Sequence, residues 1–337
     1  MGTQTPTPEL QTMPLGLYDL VTYSIVGAGF ALFAYLLYTW HTTSEVSARY
    51  RPAVVASLAL VGVAALSYLL LYTSWKNGFE LRGDVYEPTA DARETLYTRY
   101  IDWSVTVPLL TVELLAVCSL AGARARIVRF STMAAAFLMI LTGFIGSQLV
   151  DEGRDRGSLV LWGVISTVFY LYLTVALIGA VRASLGSMGS EAAAGLRNAT
   201  IVLLGTFGVY PLVYAIPVLV DVTPAWFTTM QVAYSAADVT AKVGFGVLVH
   251  KVAKLRTAED VAAGVDTHPE PVWVSNVPHS VGVLPELSRI SPAALDHLRS
   301  ARHEEHEEAA HHQGATRAGQ AHEDHELTAA RATSPTR

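Results

Sequence analysis

The chain has little charge and almost no cysteine. Only 15% of its 337 residues are Asp, Glu, Lys or Arg while 51% are hydrophobic, whereas an ordinary soluble domain carries roughly 25% charge. Mean hydropathy is +0.35, so lipid rather than water is the expected surrounding. One cysteine, Cys118, excludes an internal disulfide framework and any Cys-x-x-Cys metal site. It falls in an apolar stretch and is expected as a buried, inert thiol. The net charge of −6 owes much to acidic loops between apolar runs, so it argues for neither an acidic nor a basic partner, nucleic acid included. Residues 1–14 lack a basic segment followed by a small-residue cleavage site, so no cleaved signal peptide is expected.

What is present is a series of long apolar runs, at roughly 15–40, 52–74, 96–121, 126–150, 158–182, 195–220 and 226–252. A helical span needs about 20 such residues. The runs lack alternation of period two, which argues for helices rather than a barrel. Basic residues gather in alternate loops: Arg49 and Arg51, then Arg124, Arg126 and Arg129, then Arg182 and Arg197, then Lys251, Lys254 and Arg256. The intervening loops hold Glu80, Asp84, Glu87, Asp91 and Glu94, then Asp151, Glu152 and Asp155, then Asp221. The expected fold is an all-α membrane protein, a seven-transmembrane-helix bundle with its N-terminus outside and its C-terminus cytoplasmic. Residues 1–14 would be an extracellular segment, 15–255 the bundle, and 256–337 a His/Glu-rich, largely disordered cytoplasmic tail, with a short helix near 293–310. The long outer loop from Lys76 to Glu94, with Gly78, Phe79, Gly83 and Tyr86, suits a short capping hairpin.

Two runs carry ionisable groups where lipid makes them expensive. In the seventh, Asp238 and Lys242 stand four residues apart, one helical turn on the same face. Apolar residues continue through Val249, which argues against a lysine reaching for the interface. In the third, Arg99, Asp102, Thr106 and Glu113 fall near one face. Asp102 and Glu113 lie about 16 Å apart along a helix axis. Taken singly, Arg99 could anchor the helix, Thr106 could bond its own backbone, and Glu113 could be an interhelical contact. As a set beside an Asp–Lys pair they form a line of proton-exchanging groups at graded depth.

The run Arg99-Tyr100-Ile101-Asp102-Trp103 with Thr106, Val107, Pro108, Leu109, Leu110 and Glu113, and the run Asp238-Val239-Thr240-Ala241-Lys242-Val243-Gly244-Phe245-Gly246, resemble the third and seventh helices of microbial rhodopsins. Arg197-Asn198-Ala199-Thr200 and Tyr210-Pro211-Leu212-Val213-Tyr214 resemble that family's sixth helix. The resemblance covers about 15–255. It implies that Lys242 holds all-trans-retinal as a protonated Schiff base. Asp102 would be counterion and proton acceptor, Asp238 the second counterion, and Glu113 the donor, protonated at rest. Arg99, Thr106, Tyr68 and Tyr210 would surround the counterions, with Thr106 bonding Asp102, Tyr68 near Asp102 and Tyr210 bonding Asp238.

Asp102, Thr106 and Glu113 match the outward proton pumps of the proteorhodopsin and xanthorhodopsin group, whereas sodium and chloride pumps of the family differ at these positions. The implied function is transport of protons, not enzymatic conversion and not uptake of another soluble substrate. The setting would be the lipid bilayer of a prokaryotic plasma membrane, crossed several times, as a homo-oligomer. The alternative is a photosensory rhodopsin signalling through its cytoplasmic tail.

The resemblance further implies a retinal pocket of Trp103, Leu110, Met139, Gly143, Trp162, Ser166, Thr167, Phe207, Tyr210, Pro211, Tyr214 and Ala241, with Leu110 accompanying green absorption. Gly163 is either a window for a carotenoid antenna or a glycine that permits close helix packing. Three departures stand out. Phe207 replaces the family's usual tryptophan. Ser67 precedes Tyr68 where proteorhodopsins carry a histidine paired with the acceptor, and His41 and His250 both fall near cytoplasmic ends. Met230 stands where a proton-releasing glutamate is found in bacteriorhodopsin, so early release is not expected unless Asp221 or another outer acid substitutes. Histidine-rich tracts in the tail can bind metal, although a solvated tail is the expected reading and no metal site is assigned.

Overall fold

An apolar run in lipid has no water to satisfy its amides, so each run bonds to itself as a helix. The computed structural model describes residues 10–280 and 282. Among these, the long helices are α1 (Leu15–His41), α2 (Arg51–Asn77), α3 (Glu94–Ala116), α4 (Gly122–Leu149), α5 (Arg156–Leu185), α6 (Ser190–Leu219) and α7 (Pro224–Ala262). Neighbours in sequence pack side by side, and α7 returns to α1, closing a ring. Proline sits in the first turn of α2 and α7, where its missing N–H costs nothing. Asp155 and Thr223 cap α5 and α7 by accepting from backbone amides.

The outer faces are greasy: Phe30, Trp40, Phe130 and Val175 are 70–77% exposed, which suits contact with lipid. Six of the seven helices are long and apolar enough to cross a membrane. The exception, α3, carries Arg99, Asp102 and Glu113, and the bundle solves that problem by burying all three. The central position of α3, touching α2, α4, α5 and α7, makes this burial possible.

Two helices depart from regular geometry where the interior matters. In α6, Ser190–Phe207 and Val209–Leu219 are separated at Gly208. Pro211 explains the break, because it has no N–H to offer the carbonyl four residues back. In α7, residues Thr240–Gly244 form a wide π turn with Lys242 at its centre. Such turns displace side chains from the helical register and recur at functional sites.

The hairpin expected between 76 and 94 is present. Strands β1 (Met13–Pro14), β2 (Phe79–Arg82) and β3 (Val85–Pro88) form a small antiparallel sheet in the order β1–β3–β2. Gly83 takes the positive φ of 63° that the turn requires. Beneath the sheet Tyr18 stacks on Tyr86 at 3.6 Å and on Trp75 at 5.1 Å.

The opposite end departs from expectation. The bundle was expected to end at 255, yet α7 continues to Ala262 because its last turns are tied down. Arg256 donates to Tyr50 Oη and Ser119 Oγ, the Ser47 amide donates to Thr257 Oγ1, and Asp260 accepts from Arg49 and Tyr50. A second hairpin, β4 (Val272–Val274) and β5 (Val277–Ser280), packs on this extension. The stretch expected to begin the tail is therefore ordered as far as the hairpin, and the expected helix at 293–310 lies outside the described residues. Cys118 sits just beyond α3 rather than within it, buried and unpaired.

Candidate functional site

The π turn of α7 aims Lys242 into the bundle, where the residue is 1% exposed. Its Nζ lies 2.5 Å from Asp102 Oδ2 of α3 and 3.1 Å from Asp238 Oδ1. A lone buried charge would be prohibitive, whereas a paired and hydrogen-bonded one is tolerated. With Arg99 nearby, two cations meet two carboxylates.

The carboxylates are held unequally. Asp238 accepts from Tyr68 Oη at 2.8 Å, Tyr210 Oη at 2.7 Å and Trp103 Nε1 at 3.0 Å, as well as from Lys242. The Arg99 guanidinium lies 3.8 Å from its other oxygen. Asp102 has Lys242 on Oδ2, and its Oδ1 has no hydrogen-bond partner among the described residues. Asp238 is thus locked as an anion, while Asp102 retains an oxygen free to take a further bond.

Arg99 is itself clamped. Its Nε donates to Gln231 Oε1 at 3.1 Å, and Nη2 reaches Ser235 Oγ at 3.3 Å and the Gln231 carbonyl at 3.4 Å. Tyr234 and Tyr68 present their rings to the guanidinium at 5.5 Å and 5.9 Å.

Tyr210 bonds Asp238 as expected. Tyr68, expected near Asp102, donates to Asp238. One expected contact takes another form. Thr106 Oγ1 donates to the Asp102 backbone carbonyl at 2.9 Å and not to its carboxylate, the common choice of a threonine within a helix. Gln231, Ser235 and the donor role of Trp103 were not foreseen. The only signal for the first two was their position on the Asp238 face of α7, one and two turns earlier. Among the described residues no histidine is hydrogen-bonded to either carboxylate.

A cavity of about 270 Å³ opens beside this cluster between α3, α4, α5 and α6. Of the expected pocket residues, Trp103, Met139, Gly143, Ser166, Thr167, Phe207, Tyr210, Pro211 and Tyr214 line it, and so does Gly163. Leu110, Trp162 and Ala241 do not. Leu110 and Ala241 are buried, and Trp162 packs its Cβ against Gly146. Tyr234 and Tyr170 line the cavity without having been anticipated. Trp103 and Tyr210 both form its wall and bond Asp238, so the cavity is separated from the lysine cluster by these two side chains, and Lys242 itself is not among its lining residues. The residues fit a ligand with a hydrophobic body and one group that reacts with an amine. Gly163 serves packing as well, since a Cβ there would lie 2.9 Å from Tyr214.

Glu113 lies farther along α3, 1% exposed. Ser57 of α2 is within hydrogen-bonding reach, and Glu113 Oε2 has no partner among the described residues. Toward the β1–β3 end, Asp221 pairs with Arg156, and Glu152 pairs with Arg93 and Arg154. Met230 is buried.

Comparison with known proteins bears on the fold and the family. The crystal structure of xanthorhodopsin, described as a light-driven ion pump with dual chromophore, superposes with a TM-score of 0.68 at 30% identity, covering 75% of this chain and 99% of that one. A thermophilic rhodopsin superposes equally well, with a TM-score of 0.68 at 29% identity over 74% of this chain and 99% of the other. The blue-light absorbing proteorhodopsin of the gamma-proteobacterium Hot 75m4 is 23% identical over 233 residues, 69% of this chain and 85% of that protein. Residues 19–255 match the family model described as bacteriorhodopsin-like protein. The chain belongs to the bacteriorhodopsin-like family, as a microbial rhodopsin of the proteorhodopsin and xanthorhodopsin type.

Proposed function

We propose that this protein is a light-driven proton pump that moves protons outward across a prokaryotic plasma membrane, with all-trans-retinal carried on Lys242. The observation that supports it most is the unequal pair of carboxylates around the lysine, with a third, Glu113, isolated on the far side. Bound at Lys242 as a protonated Schiff base, retinal supplies a light-sensitive cation. The chain's own groups do the rest. Asp102 Oδ2, 2.5 Å from the Lys242 nitrogen, takes its proton. Asp102 Oδ1, without another partner, leaves that carboxyl room to rearrange once neutral. Asp238 keeps its charge through its donors and holds the site together while Asp102 changes state. Arg99 keeps the local sum near neutral in both states. Glu113, buried among apolar groups, returns a proton to the Lys242 nitrogen from the other side.

Direction follows from the basic loops. They gather at the end where α7 terminates, which supports a cytoplasmic reading for that end and an outer one for the β1–β3 sheet. Moving one proton against 100 mV requires about 2.3 kcal/mol. The side of the cavity bordered by the exposed Val160 and Val164 supports a carotenoid antenna as a second chromophore, next to Gly163. The hairpin docked at the end of α7 is the feature that favours a signalling rhodopsin, and the same experiment separates the two.

Cells expressing the protein, supplied with all-trans-retinal and illuminated without buffer, are expected to acidify the medium. The signal should vanish with a protonophore and with Asp102→Asn, and Lys242→Ala should remain colourless. A coloured protein that leaves external pH unchanged would replace the pump with a sensor.

A further inference from the structure

On the inward side of Lys242, a line of polar groups leads to a histidine with no assigned task. The residues Lys242, Gly246, His250 and Lys254 follow at intervals of four along α7. At Gly246 a Cβ would lie 2.5 Å from Tyr35 Oη, so glycine is what lets the α1 phenol rest on α7 there. Tyr35 Oη is 3.3 Å from Ser57 Oγ, and Ser57 is within reach of Glu113. One turn beyond Tyr35 on α1, Thr39 is fully buried beside that phenol, its hydroxyl without a partner among the described residues. One turn beyond Gly246 on α7, His250 is 4% exposed, and neither of its ring nitrogens is hydrogen-bonded among the described residues. Tyr38 of α1 meets the imidazole edge-on at 5.8 Å. The charged groups around it are Lys254 on its own helix and Glu45 from the α1–α2 connection, and these pair with each other at the partly exposed mouth of the line.

An uncommitted buried polar atom costs about 1–3 kcal/mol. Here Glu113 Oε2, Thr39 Oγ1 and both nitrogens of His250 bear that cost together. A histidine kept for packing would be better replaced by phenylalanine, and one kept for architecture would be fixed by a partner. A ring with both nitrogens uncommitted can accept a proton at one and release it from the other. Buried hydroxyls and ordered water are the usual carriers between such groups.

We propose that His250 is a proton relay between the cytoplasmic mouth at Glu45–Lys254 and Glu113. The assignment rests on the pump reading above. A proton from cytoplasmic water bonds to one imidazole nitrogen. The proton on the other nitrogen passes by way of Thr39, Tyr35 and Ser57 to the Glu113 carboxylate. The ring ends neutral, and no electrons change hands.

The test is flash excitation of the retinal-loaded protein in lipid nanodiscs with a pH-indicating dye, comparing the parent with His250→Phe and His250→Gln. Proton uptake is expected to slow about a hundredfold in both variants, with release and the absorption maximum unchanged and uptake restored by added imidazole. The unchanged absorption maximum reports an intact fold. Uptake at the parental rate in either variant overturns the relay, as does slowing that imidazole fails to restore. A parent that neither takes up nor releases protons removes the pump reading itself, and the relay with it. A readout free of chromophore is ¹⁵N NMR of the His250 ring in retinal-free protein. Exchange between tautomers is expected, and a single locked tautomer would overturn the relay.

Discussion

Toward the β1–β3 sheet from Lys242, Asp238 collects donors from Tyr68, Tyr210 and Trp103, and Arg99 is held by Gln231 and Ser235. Toward the end of α7, Glu113 has only Ser57 within reach, and His250 has no hydrogen bond among the described residues. Both halves bury ionisable groups equally deeply. A saturated network fixes charge and geometry because any movement breaks several bonds at once. A sparse one leaves protonation free to change with little structural consequence. Holding a charge and passing a proton call for opposite local designs: Asp238 and Arg99 have the first, while Glu113, His250 and the unpartnered oxygen of Asp102 have the second.

The comparison can be broken most forcefully at Arg99. Arg99→Leu strips the saturated half of a cation, and removing one partner of a buried pair costs about 3–5 kcal/mol. A large fall in the thermal midpoint of the retinal-bound protein is expected; a variant as stable as the parent would mean the network is not what secures this half. Glu113→Gln should do the reverse. The thermal midpoint should fall much less than in Arg99→Leu, because Gln keeps the volume of Glu113 and strands no buried charge, while light-driven proton uptake slows about a hundredfold. If Glu113→Gln melted as early as Arg99→Leu, the contrast between halves would collapse.

The smallest effect is expected outside the membrane, at His268. Burial holds its imidazole below the ordinary value of 6.5, so the folded form binds a proton less readily than the unfolded one. The cost is absent well above pH 6.5 and grows as pH falls below it. Packing of the β4–β5 hairpin should therefore weaken between about pH 7.5 and pH 5.5, read as faster amide exchange in residues 272–280. His268→Phe should remove the dependence. Equal exchange at both pH values in the parent would show that His268 plays no part.

The sheet, the helices and the principal charges were legible in the sequence because each rests on a local rule. Lipid forces apolar runs into helices, and a spacing of four puts Asp238 and Lys242 on one face. The long run of α3 was recognisable even though its buried charges keep it from qualifying on apolarity. What was not legible depends on how helices rotate against one another. The π turn at Thr240–Gly244 has no composition that announces it. Which carboxylate Tyr68 would reach is a matter of a few ångströms between α2, α3 and α7. Thr106 could have bonded a carboxylate or a backbone carbonyl, and sequence does not choose. The ordered stretch after 255 was hidden because Arg256, Thr257 and Asp260 look like a solvated polar boundary until their partners at Tyr50, Ser47 and Ser119 are seen.

The closure of the ring between α1 and α7 bears on how the site comes into being. Lys242 and Asp238 are four residues apart and meet as soon as α7 coils, whereas Lys242 and Asp102 are separated by 140 residues. Contacts over such separations demand most of the chain before they reward it. The amine therefore gains its first carboxylate locally and its second only when the whole bundle has assembled. Until then the lysine is a half-matched charge, and the cavity walled by α3, α4, α5 and α6 lacks Tyr234 of α7. The last helix to be made thus carries the residue that seals the molecule, and under the proposed function chromophore capture is tied to completion of the fold.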